Sequence, residues 1–98
     1  MSTDHRRQAQ ETVETLVARL RTQPQDAMVN QLIDECEALV RAIRAFHMEG
    51  IRFRMFNVDR LLQKAGGAVP PDAAGIFGDA RRSLEAAGFH TRSHQAPG

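Results

Sequence analysis

Two histidines, His90 and His94, are spaced so that on a helix both imidazoles could reach one metal ion. They follow an expected helix end and have no Cys, Asp or Glu beside them in residues 90–98, so a basic tail is the plainer reading. Cys36 and His47 suggest a thiolate with a base or a ligand pair, but eleven residues of helix separate them by roughly 16 Å. On one helix they would meet only across an interface between two copies. A buried cysteine acting as a small apolar group, with a histidine hydrogen-bonded nearby, explains the same residues. "HMEG" at 47–50 does not extend to the Glu-x-x-His spacing of carboxylate-bridged metal bundles, because no Glu precedes a His by three. GxGxxG, P-loop, GxSxG and CxxC motifs are also missing. The expectation is a protein that is not an enzyme, with no catalytic residues, no cofactor and no assigned metal ligands.

A second constellation is basic and aromatic. Arg41, Arg44, Arg52, Phe53, Arg60 and Lys64 supply phosphate-binding cations beside a ring on which a base could stack, and Arg54 and Phe56 lie among them. Glu35, Glu37, Glu49 and Asp59 are interspersed, which also fits a solvated face laced with pairs such as Glu37 with Arg41 and Asp59 with Gln63. The stretch "IRFRMF", residues 51–56, reads with either of two periods. As a strand, Ile51, Phe53 and Met55 share one face; as a helix, Ile51, Met55, Val58 and Leu62 do. In the strand reading, "IRFRMF" followed by helices at about 57–65 and 71–87 resembles the element order of the ribbon-helix-helix repressors. That resemblance implies paired strands entering the major groove of DNA. It covers only the second half of the chain, and the helices that precede it are foreign to that family. The helical reading extends much further and is adopted here.

The whole chain suits helix. Ala and Arg are abundant, and aromatic residues are limited to five Phe with no Trp or Tyr. Ninety-eight residues allow one hydrophobic core. Thirteen Lys and Arg against twelve Asp and Glu leave no large field to draw in nucleic acid or an anionic membrane. One cysteine fits a reducing compartment, and neither a signal-like segment nor a spanning apolar run is visible, so a cytoplasmic location is expected.

The elements that would position these residues are three helices. The first, about 4–21, has caps available at Ser2, Thr3 and Asp4 and an apolar face of Ala9, Val13, Leu16, Val17 and Leu20. Pro24 closes it and Asp26 can cap the next. From Ala27 the apolar positions step by three and four through Val29, Ile33, Cys36, Val40, Ile43 and His47, then Ile51, Met55, Val58 and Leu62, ending at Gly66–Gly67. This predicts one long central helix at about 27–65, with a bend at Gly50 as the variant. The third helix, about 71–87, starts after Pro70–Pro71 and stops at Gly88, with Phe89 folding back.

A helix from 27 to 65 would be roughly 58 Å long, while a compact domain of this size has a radius of gyration near 13 Å. Its stripe therefore calls for a bend or a second copy. Arg54 falls in the middle of the stripe, and is expected either to snorkel to water or to meet Glu49 or Asp59 of a partner chain and set register. The expected molecule is an all-α homo-oligomer, preferably a dimer. It has one domain over 1–89 and a mobile tail over 90–98. Its predicted interface is Val29, Ile33, Cys36, Val40, Ile43, His47, Ile51, Arg54, Met55, Val58 and Leu62. The expected role is that of a small adaptor or regulator that self-associates and docks a macromolecule, a protein before a nucleic acid, with no membrane partner. The alternatives are a nucleic-acid-binding regulator using residues 41–64 and a metal-responsive protein using histidines.

Overall fold

In a computed structural model that describes residues 4–89, the chain is helical, with four α-helices and no strand among those residues. The first, α1, spans His5–Arg21; α2 spans Ala27–Arg44; α3 spans Met48–Ala65; and α4 spans Ala73–Ala86 after a short 3₁₀ turn at Gly66–Ala68. Ser2, Thr3, His90 and His94 and the expected tail lie outside the described residues.

The starts of α1 and α2 follow from their caps. The carboxylate of Asp4 accepts the Arg7 backbone N–H at 2.9 Å, and that of Asp26 accepts the Val29 N–H at 2.9 Å. Each satisfies a donor that an isolated helix start leaves open. Asp72 precedes α4 without capping it, because its carboxylate instead accepts from Arg19 at 2.9 Å and ties the end of α1 to the start of α4. The Arg19 hydrogen bond holds the Asp72 carboxyl below its ordinary range; it outweighs the opposing effect of burial and is helped to a lesser degree by the Arg19 charge.

The expected central helix is two helices. The chain turns at Ala45–His47, before Gly50, and residues 51–56 are helix. Two hydrogen bonds close α2: Phe46 N–H donates to the Ile43 carbonyl at 3.1 Å and His47 N–H to the Ala42 carbonyl at 3.0 Å. This paired cap requires a left-handed residue between them, and Phe46 takes that role with φ 56°. Then His47 starts α3, its Nδ1 accepting the Gly50 N–H at 2.8 Å. Gly50 is thus the third residue of a new helix. The same paired cap ends α4, with Gly88 at φ 96° and Phe89 N–H donating to the Leu84 carbonyl at 3.0 Å, as the sequence predicts.

The break resolves the length conflict. The molecule measures 38 × 36 × 21 Å with a radius of gyration of 12.9 Å, too small for a roughly 58 Å rod. Folding back lets α2 pack on both α1 and α3, while α4 packs mainly on α1 and only touches α3. The core takes Leu16 and Leu20 from α1, Leu32, Leu39 and Ile43 from α2, Ile51 and Met55 from α3, and Leu84 from α4, all fully buried.

Candidate docking face on the third helix

Most residues expected between two copies are buried within one. Val29, Ile33, Cys36, Val40 and Ile43 of α2 and Ile51, Met55 and Val58 of α3 belong to the chain's own core, and Leu62 packs against it. Their burial is complete without a partner, so the stripe no longer calls for a second copy. His47 is exposed and caps α3. Arg54 is engaged within its own chain. Its Nη1 donates to both carboxylate oxygens of Glu35 in α2 at 3.0 and 3.1 Å, and Asn57 donates to the same carboxylate at 3.1 Å. Breaking the helix at 45–47 shifts the phase of the stripe and moves Arg54 from its centre to the flank of α3 that faces α2.

Cys36 is an inert core group. Burial first, and the Glu35 and Glu37 carboxylates second, push its thiol up to about 12, so no thiolate forms near neutrality. Among the described residues no three His, Cys, Asp or Glu side chains stand together as a metal site would require.

The basic region divides in two. Arg41 and Arg44, exposed at the end of α2, line a groove against α1 together with Glu14, Val17 and Glu37, and Glu37 pairs with Arg21 rather than with Arg41. Arg52, Phe53, Arg60 and Lys64 are on α3, with Phe53, Arg60 and Lys64 exposed and Arg52 half-buried. Phosphates would meet carboxylates in the first group. The pair of Asp59 with Gln63 forms as expected, at 3.2 Å.

What the sequence reading did not isolate is the outer face of α3. Its inner face is spent on Ile51, Met55, Val58 and Leu61. On the opposite side Phe53 is 57% exposed and Phe56 48% exposed, adjacent on the helix at a spacing of three. Glu49, Arg52, Phe53 and Phe56 line a shallow groove of about 240 Å³. Arg52 reaches Glu49 at 3.5 Å, the Arg54 guanidinium stands 5.1 Å from the Phe53 ring centre, and Arg60 stands 6.0 Å from that of Phe56. The rings thus form an apolar ridge with an acidic end at Glu49 and a basic end at Arg60. Phe53 and Phe56 enter the sequence analysis only as rings among the basic residues; on a helix at 100° per residue they fall opposite Ile51, Met55 and Val58.

The third large exposed hydrophobic residue, Phe46 at 64%, stands apart in the 45–47 turn. Arg6 lies 4.6 Å from its ring centre and the Phe89 ring 6.4 Å away, so α1 and the end of α4 partly account for it. Compared with protein-family models, curated proteins and solved structures, the chain matches none. No helix of the described residues is long and apolar enough to cross a membrane.

Proposed function

We propose that this chain is a small non-catalytic helical protein of the adaptor or regulatory kind, which works by offering the outer face of α3 to another protein. The observation that carries this reading is the pair Phe53 and Phe56, about half exposed on a helix whose other face already supplies the core. A ring left in water gives up apolar transfer free energy that a partner surface would recover. Aromatic side chains with neighbouring Arg are also the residue types that dominate protein interfaces. The matching partner is an apolar helix face with a cation placed for Glu49 and a carboxylate placed for Arg60, since groove-fitting helices anchor through such three- and four-residue spacings.

A nucleic-acid-binding regulator is the second reading, favoured by Arg60 beside Phe56 and weakened by the carboxylates around Arg41 and Arg44. A photo-activated cross-linker in place of Phe53, with one at exposed Glu11 of α1 as control, tests both in cells expressing the chain. The proposal expects protein adducts from position 53 alone, lost when Phe56→Ser is added. Adducts removed by nuclease would transfer the reading to nucleic acid. Equal labelling from both positions would overturn it.

A further inference from the structure

The partner specified by the α3 face is one that this chain itself satisfies. Glu49, Phe53, Phe56 and Arg60 are separated by four, three and four residues, the alternation of a two-helix seam. At 3.6 residues per turn all four fall within about 60° of one another around the helix. The point midway between Phe53 and Phe56 is also midway between Glu49 and Arg60, and it lies between Arg54 and Met55. A two-fold axis through that point, pointing out of the face, would lay a second α3 antiparallel to the first. Phe53 would then stand opposite Phe56 of the second copy, and Glu49 opposite Arg60, twice over. An isologous interface requires this kind of self-complementarity, and a face with the charge order reversed at one end would lack it.

We propose that two copies of this chain pair antiparallel through α3, with Phe53 and Phe56 at the centre and a Glu49–Arg60 pair at each end. This rests on the reading of the same face as a docking surface and names its occupant. Access favours it: α3 packs mainly on α2 and only touches α4, so its outer side is open to a neighbouring helix at the usual 8–10 Å separation. Charge favours it too. Glu49 is 78% exposed with only a 3.5 Å contact to Arg52, and Arg60 pairs with no carboxylate among the described residues. The area sets the strength. Four half-exposed rings supply about 400 Å² of apolar surface, well under the roughly 1,200 Å² at which stable interfaces begin, so the dimer is a weak one that forms and separates with concentration.

Sedimentation of the full chain, alone and in mixtures of variants, tests the pairing. The wild type should move from the 10.9 kDa monomer toward twice that mass as concentration rises. Glu49→Arg and Arg60→Glu should each weaken association about 10-fold, since each sets like charges together at both ends. Mixed in equal amounts, the two variants should associate like the wild type, because each then supplies the charge that the other lacks. Helix content by circular dichroism should match the wild type in all samples. A mixture no tighter than either variant would overturn the antiparallel register. A wild type that stays monomeric at every concentration would overturn the second copy as occupant, while adducts with other proteins from position 53 would still uphold the docking face.

Discussion

Gly50→Ala separates the observed break from an uninterrupted helix, and its energetics can be worked from the contacts. In a continuous helix, alanine for glycine stabilises by about 1 kcal/mol. Here a Cβ on residue 50 would lie 2.6 Å from His47 Nδ1 and 3.4 Å from Ala42 Cβ. The first distance is too short to persist, so the exposed imidazole must swing away and release the Gly50 N–H. Losing an N-cap acceptor costs about 1 kcal/mol, and the two effects offset. Gly50→Ala should therefore leave stability within about 0.5 kcal/mol of wild type. In a His47→Ala background the cap is already lost, and the same substitution should recover its full gain of about 1 kcal/mol. Urea denaturation of the four proteins, followed by circular dichroism, gives the coupling, expected near 1 kcal/mol. Equal gains in both backgrounds would refute the capping role of His47.

Arg54→Leu should destabilise by about 1–3 kcal/mol in the same assay, because it strands the half-buried Glu35 carboxylate with Asn57 alone, and Glu35→Gln added to it should recover part of the loss. At residue 46 the usual order of substitutions should invert: Phe46→Gly should be more stable than Phe46→Ala by about 1 kcal/mol, since both remove the ring but only glycine suits φ 56°. The Cys36 thiol has its folded pKa raised from an ordinary 9.0 to about 12. Its contribution is fully present below pH 9 and is lost as pH climbs through that interval, because the unfolded chain releases the proton first. By pH 10.5 the wild type should have lost about 2 kcal/mol that Cys36→Ala does not lose, and a parallel alkaline limb in the two proteins would contradict it.

How far the fold could be read depends on the physics at each boundary. Asp4 and Asp26 are caps recognisable by residue type, and Gly88 is the residue that a left-handed helix end favours, so the limits of α1, the start of α2 and the end of α4 follow from sequence. The turn at Ala45–His47 carries neither Gly nor Pro. Phe46 and His47 continue the apolar spacing, so periodicity runs across a break held by two backbone hydrogen bonds. One local signal marked it: Arg41 and Arg44 crowd the last turn of α2, and Glu49 opens α3, the charge order that two consecutive helix dipoles favour. The same error displaced the candidate site. With 27–65 as one rod, the stripe from Val29 to Leu62 looked like an unpaired surface and Arg54 a register charge. Once the chain folds back, that stripe becomes the core, Arg54 pairs with Glu35, and Phe53 and Phe56 are left outside. Distances between helices, which composition does not encode, decide which apolar positions remain in water.

Fluorine NMR of the chain carrying fluorinated phenylalanine tests the role of the α3 face most directly, since the five rings sample distinct environments. Phe53 and Phe56 lie on that face, Phe46 is exposed elsewhere, Phe77 is 4% exposed in the core, and Phe89 packs against the core from the end of α4. Raising the protein concentration should shift the Phe53 and Phe56 resonances together and leave those of Phe46, Phe77 and Phe89 in place. A concentration-dependent shift at Phe46, with Phe53 and Phe56 unmoved, would contradict the account and put the contact surface at the 45–47 turn.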